Sequence, residues 1–378
     1  MFNKQFFYAL ATFVGTVIGV GLFGLPYVAL KVGFAVVLFY FIFIGIVTAL
    51  VLLIYGEIIL RTEGVHRLPG YAEKYLGIWG KRVAFLSIVL TLVGALLAYL
   101  IVGGGFLFGI FSSLLGGNPF IYTLIFFALG TSLVYYGIKS IAKIELSMLI
   151  LFFALIVVFF IASFSKIKVE NFLSLNLKNF FLPYGIILFS LGGAAIIPEI
   201  KEMLKGKEKN LRNIIIGGII LIIVTYLIFI FIILGVAGGK TSPEAFLGLE
   251  NYFSKNILLL GFFFGFLTTF TSFLTLGLTL KKIFWYDYKI SSTLSCFLAC
   301  FIPLGLFFLG FKDFLWVIGL VGAVMLGIEG IIIFLIYLKA RKSSQRIPAY
   351  YLNLSPYLIY FLIFVFVIGI ILEIIYSM

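Results

Sequence analysis

The sequence predicts an all-α polytopic membrane protein with eleven transmembrane helices. They form a 5+5 inverted repeat with broken helices 1 and 6, plus an accessory helix 11. Three observations lead there. Of 378 residues, 63% are hydrophobic and only 11% are charged, against about 25% charged in a soluble domain. Apolar stretches long enough to cross a bilayer recur along the whole chain. Two of those stretches carry clustered glycines and a proline in matching positions.

The spans fall at roughly 6–30, 33–60, 83–113, 120–138, 144–164, 181–204, 212–237, 256–280, 291–311, 314–338 and 355–377. The third run is long, and Gly103-Gly104-Gly105 inside it is a candidate glycine-rich stub at the outer surface. The first run is too long for a cleavable signal and no small-residue cleavage motif follows it. No hydrophilic stretch is long enough for a separate soluble domain. Cys296 and Cys300 sit four apart in one apolar run, so they read as reduced, space-filling thiols.

Lysine and arginine set the orientation. With the N-terminus inside, the cytoplasmic segments hold 20 of them and the outer segments 7, from a total of 27. That asymmetry places the N-terminus in the cytoplasm and, with eleven spans, the C-terminus outside a cell membrane. The net charge of +13 therefore marks cytoplasmic loops and implies no nucleic acid. Leu68–Gly77, between spans 2 and 3, is amphipathic and reads as a short surface helix. The longest outer loop, about 238–255, contains Thr241-Ser242-Pro243-Glu244. Ser242 as cap and Pro243 as first residue predict a helix there, within a lid over an outer vestibule.

Span 1 contains Gly15-Thr16-Val17-Ile18-Gly19-Val20-Gly21-Leu22-Phe23-Gly24-Leu25-Pro26-Tyr27. Four glycines and a proline in one window predict a helix broken inside the membrane. Broken backbone bares N–H and C=O groups, which hydrocarbon tolerates only around a cavity or a ligand. Span 6 repeats the device in Phe189-Ser190-Leu191-Gly192-Gly193-Ala194-Ala195-Ile196-Ile197-Pro198-Glu199. The windows are offset by five spans, an odd number, so the halves enter the membrane in opposite directions. The repeats are read as 1–164 and 181–338, with 355–377 as the accessory span.

These two windows and Leu68-Pro69-Gly70-Tyr71-Ala72-Glu73-Lys74-Tyr75-Leu76-Gly77 resemble the amino acid/auxin permease family, close to the tryptophan/tyrosine permeases. Both lie in the amino acid–polyamine–organocation superfamily. The likeness covers nearly the whole chain. It implies secondary transport of amino acids and places a substrate carboxylate at the Gly-x-Gly of span 1.

The chemistry agrees with that placement. A half-helix starting near Gly21 points leading N–H groups and a positive dipole end at the break, which suits a carboxylate. Val20 and Gly21 are the expected donors, with Gly19 allowing close approach. The carbonyls of Phe189 and Ser190, where the first half of span 6 ends, face an ammonium group. Gly192, Gly193, Ala194 and Ala195 leave room for a side chain. Thr16 completes the set, and Tyr99 in span 3 is either a carboxylate donor or packing. Apart from Glu199 the pocket shows no charge, so a neutral apolar or aromatic amino acid is expected rather than lysine or arginine.

The chain has no Gly-x-x-x-x-Gly-Lys-Ser/Thr motif, so an ion gradient rather than ATP is expected to drive transport. No cofactor is expected beyond a coupling ion, Na⁺ or H⁺. In span 8, Thr268, Thr271, Ser272 and Thr275 lie at i, i+3, i+4, i+7. Sodium-coupled members of the superfamily hold an ion between spans 1 and 8, which implies Gly15, Ile18, Thr268, Thr271 and Ser272 as ligands. Hydroxyls in membrane helices also bond simply to their own backbone. Some proton-coupled relatives place a lysine in span 5, and none lies between Leu146 and Phe164 here. Glu329 is the deepest carboxylate and is a proton or gate candidate. Glu57, Glu145 and Glu199 read as ion pairs with Arg61, Lys143 and Lys201, Glu373 as reaching the outer surface, and His66 as solvated in its loop.

The expected partners are an amino acid and the lipid bilayer, with the protein a monomer or weak oligomer. The remaining alternatives are an amino-acid-sensing receptor or a channel on the same fold. A membrane enzyme is excluded because the single histidine lies in a loop.

Overall fold

The computed structural model describes residues 4–64, 66–137 and 141–377. Among them, nine helices are long and apolar enough to cross a membrane. The bent pair Lys4–Val17 and Gly21–Val32 makes a tenth span and the shorter Ser292–Phe308 an eleventh. In order, the spans are 1a Lys4–Val17, 1b Gly21–Val32, 2 Phe34–Arg61, 3 Leu68–Leu115, 4 Pro119–Tyr136 and 5 Ile141–Ser163. Then come 6a Pro183–Leu191, 6b Ile197–Met203, 7 Asn210–Ala237, 8 Lys255–Lys282, 9 Ser292–Phe308, 10 Phe314–Ala340 and 11 Pro356–Ser377. Lys139 lies outside the described residues, and so do the side chains of Lys143 and Glu145.

The packing carries a pseudo-twofold. Spans 3 and 8, 2 and 7, and 1 and 6 lie against each other. The other main contacts come in pairs. Span 1 against 7 matches 6 against 2, 1 against 5 matches 6 against 10, and 3 against 4 matches 8 against 9. Likewise 3 against 10 matches 8 against 5, and 4 against 8 matches 9 against 3. Each pair interchanges when every span number moves by five. Span 11 has no counterpart and packs on spans 10 and 6.

Two expectations change, and one gains its physical cause. First, the glycine-rich stub at residues 103–105 is absent, and span 3 runs through it as helix. A Cβ at Gly103 would lie 2.3 Å from the Phe126 ring, and one at Gly104 2.2 Å from the Thr123 hydroxyl. These glycines therefore bring spans 3 and 4 together, as small residues do in membrane bundles. Second, Gly77, at φ 77° and ψ −168°, sets the surface helix at an angle to span 3. Only glycine takes that backbone without strain. Third, Pro243 starts no helix: Ser242 pairs with Ala245 across a turn and its Oγ accepts from the Gly248 N–H at 3.1 Å.

The 238–255 segment nonetheless covers the bundle. It carries Phe246 fully buried between spans 1b, 3, 5, 7 and 8, with Phe159 at 5.4 Å, Phe23 at 5.8 Å, Phe106 and Phe229 at 6.0 Å, and Phe262 at 6.4 Å between ring centres.

Candidate functional site

Span 1 breaks at residues 18–20, with a 55° bend between its halves. Gly21 heads span 1b, so its N–H is one of the leading donors a helix leaves unpaired. Leu22 and Phe23 close back onto the carbonyls of Gly19 and Val20 at 3.3 and 3.1 Å. Pro26 lies inside span 1b and takes no part in the break. The break is held by close contacts. A Cβ at Gly19 would lie 2.5 Å from the Tyr99 hydroxyl, and one at Gly21 2.3 Å from Ser190 Oγ. The buried Tyr99 hydroxyl lies close to the Val20 backbone and the Ser272 side chain.

Span 6 breaks after Leu191 and resumes at Ile197, with Pro198 in the first turn of 6b. The two carbonyls expected to face an ammonium are already engaged. Phe189 O accepts the Gly192 N–H at 3.1 Å, and Ser190 O accepts the Tyr226 hydroxyl at 2.9 Å. A carbonyl has two lone pairs, so each keeps one for a ligand.

Tyr226, on span 7, is the residue that sequence reasoning missed most completely. Its hydroxyl also reaches Val17 O at 3.2 Å, so one buried side chain ties together the cut ends of spans 1a and 6a. Tyr226→Phe is expected to destabilise the protein by about 1–3 kcal/mol, because it leaves buried carbonyls unpaired. Thermal unfolding of the purified variant checks this.

Between the breaks lies a cavity of about 90 Å³. Thr16, Gly19, Gly21, Tyr99, Phe189, Ser190, Gly192, Gly193 and Glu329 all line it, along with Ala194 and Ala195. Of the nominated substrate residues only Val20, fully buried, does not. The sequence reading missed Ile88, Thr91, Leu92 and Ala95 of span 3. Thr91 and Tyr99 are eight residues apart, which places them on one helix face, and that spacing was the available signal.

The carboxylates rearrange. Glu199, expected as the charge near the pocket, lies outside the cavity lining and pairs with Arg67 at 2.8 Å rather than with Lys201. Residues two apart on a helix do not face each other, so Lys201 has no reach. Glu329 is the charged group that lines the cavity, and it accepts from the Thr91 hydroxyl at 2.7 Å. Glu57 pairs with Arg61 at 2.7 Å as expected and also accepts the Leu352 N–H at 2.6 Å. Glu373 is buried against Gly319 instead of reaching the surface. His66 is half-buried, bonds the Glu63 carbonyl and meets the Tyr71 ring edge-on.

A second cavity of about 30 Å³ is lined by Gly15, Ile18, Thr268, Thr271 and Ser272, with Leu149 and Phe152 closing it. All five nominated ion ligands thus meet in one place. Thr271 donates its hydroxyl to Leu267 O at 2.9 Å and to Thr268 O at 3.2 Å. Donation leaves the oxygen lone pairs available. A further small cavity, lined by Gly15, Thr16, Thr271, Ser272, Thr275 and Leu276, shares Gly15, Thr271 and Ser272 with this one and Thr16 and Leu276 with the central cavity.

Comparison with known proteins places the fold. The chain aligns over its full length with MhsT solved in complex with L-phenylalanine, at TM-score 0.69 and 15% identity, covering 99% of that chain. It matches Mhp1, a nucleobase-cation-symport-1 family transporter solved closed with bromovinylhydantoin bound, at TM-score 0.67 and 18% identity. That match covers 87% of this chain and 77% of the other. Both have the five-plus-five inverted repeat that the contact pairs show. A tyrosine-specific transport system 1 of Haemophilus influenzae is 24% identical over 220 residues, 57% of this chain. The alignment spans about half the length of that relative, 54% of it. The model of the tryptophan/tyrosine permease family matches residues 3–375, and the chain belongs to that family of integral membrane proteins.

Proposed function

We propose that this protein is a secondary active transporter that carries an aromatic amino acid across the cell membrane by alternating access. One observation carries the reading: the cavity between spans 1 and 6 is lined by the cut ends of both. Gly21 heads one half-helix with its N–H groups and positive dipole end, which receive the substrate carboxylate. The spare lone pairs of Phe189 O and Ser190 O receive the ammonium. Gly192, Gly193, Ala194 and Ala195 line the cavity with little bulk and leave room for a ring. Membership of the tryptophan/tyrosine permeases and the likeness to a tyrosine-specific transport system favour a ring over a small aliphatic side chain.

The repeats in this reading are 1–164 and 181–338, with 355–377 accessory and the N-terminus cytoplasmic. Phe246 then closes the outer side, and the Arg67–Glu199 pair lies toward the cytoplasm. The coupling ion is sodium, seated among the Gly15 and Ile18 carbonyls and the Thr268, Thr271 and Ser272 hydroxyls. Hard oxygens in that number suit a hard cation. Ser272 also touches the Tyr99 hydroxyl, whose other contact is the Val20 backbone beside the substrate. Tyr99 therefore stands between the ion site and the substrate site.

In proteoliposomes, an imposed sodium gradient is expected to accumulate labelled tyrosine or tryptophan with saturable kinetics. Thr271→Ala with Ser272→Ala is expected to remove the sodium stimulation while the protein stays folded. Accumulation driven equally by a pH gradient without sodium would transfer the coupling to protons.

A further inference from the structure

We propose that Glu329 and Thr91 form a reading head for the far end of the substrate side chain. In this reading they select aromatic amino acids tipped with a hydrogen-bond donor, a phenol O–H or an indole N–H, over phenylalanine. The inference rests on the central cavity being the substrate site and names what its far wall recognises.

Glu329 is 5% exposed and lines the central cavity, the cavity toward Arg67 and Pro198, and a third against span 2. A carboxylate offers about four acceptor positions. The Thr91 hydroxyl fills one at 2.7 Å. Among the described residues no lysine or arginine pairs with Glu329. Of the hydroxyls that share the central cavity with it, those of Thr16 and Ser190 donate to Thr12 O and Ile186 O, each at 2.7 Å, and Arg67, in the cavity toward Pro198, is paired with Glu199; Ile88, Leu92, Ala95, Ala194, Ala195 and Leu326 offer no side-chain donor. A carboxylate in that setting is expensive to leave short of partners. Its remaining acceptor positions face the cavity, where a ligand can supply the donor.

Thr91 lies eight residues before Tyr99 on span 3, about 12 Å along the helix axis, so Thr91 and Glu329 stand toward the end of the cavity away from Gly19 and Tyr99. The lining is apolar between the two ends, which suits a ring with one donor at its tip. A site built to bond such a donor strongly rejects the analogue without it, because its own polar group is then left unpaired.

The test is equilibrium binding of labelled L-tyrosine, L-tryptophan and L-phenylalanine to purified protein, with L-lysine as a competitor, at several pH values. Wild type is expected to bind tyrosine and tryptophan about 10- to 100-fold tighter than phenylalanine. Glu329→Leu is expected to bring all three to the phenylalanine value, leaving phenylalanine itself within about twofold. Glu329→Gln, which keeps an acceptor, is expected to fall between. Thr91→Val is expected to shift the same two ligands and not phenylalanine.

Equal wild-type affinity for tyrosine and phenylalanine would overturn the proposal. So would a Glu329→Leu variant that weakens all three alike, one whose only change is the pH dependence of binding, or lysine as the strongest competitor. If wild type binds none of the three, the central cavity is not the substrate site and the functional reading fails with it.

Discussion

Gly21→Leu is expected to abolish the thermal stabilisation that tyrosine or tryptophan confers on the purified protein. Ligand at 100 times its dissociation constant stabilises a folded protein by about 2.7 kcal/mol. The leucine variant is expected to lose all of it. The reason is geometric. A Cβ at this position would lie 2.3 Å from Ser190 Oγ, 3.0 Å from Ser190 Cβ and 3.1 Å from Ser190 Cα. The last of these is main chain in the other broken helix and cannot swing aside. The side chain must therefore push the two breaks apart or fill the space where the carboxylate docks. Overpacking of this kind costs about 1–3 kcal/mol in stability, so the unliganded variant should melt at a lower temperature as well. Gly105→Ala, on the same bundle with nothing within 4 Å of the added carbon, is the control and should retain the full ligand shift.

Phe246→Ala should lower stability by about 3–5 kcal/mol, the usual cost of emptying a buried aromatic site. Phe246 is fully buried and has five phenylalanine rings around it within 6.4 Å. They come from spans 1b, 3, 5, 7 and 8, so the ring joins both repeats on one side of the cavity. Its loss removes the plug rather than one helix contact. Hydrogen exchange of residues 241–253 should speed up strongly, and the thermal midpoint should fall by several degrees. Phe263→Ala, at an exposed position one residue from the cluster member Phe262, should change neither. A small effect at Phe246 would mean that the loop is not the seal on that side.

What was legible in the sequence is the part that local chemistry dictates. Gly-x-Gly at residues 19–21 and Gly-Gly at 192–193 weaken a helix, and both breaks lie where the glycines are. The hydroxyl stripe of span 8 follows from helical spacing, and its members line the cavities beside Gly15. Where a contact depends on which distant span lies opposite, sequence had no access to it. Tyr226 looks like any aromatic in an apolar helix until spans 1a and 6a meet it. Glu199 finds Arg67, 132 positions away, rather than its near neighbour Lys201. Glu329 reads as a lone buried acid until Thr91 and the cavity come to it. The stub at 103–105 failed for the converse reason. Glycines signal either a break or a close approach, and the partner that decides between them, span 4, is not encoded nearby.

The most direct test of the central claim is an experimental structure with L-tyrosine bound. The account predicts ligand density between residues 18–21 and 189–193, with the carboxylate on the leading N–H groups of span 1b and the phenol at Glu329. Density elsewhere in the bundle, or spans 1 and 6 running as unbroken helices past an empty centre, would contradict it.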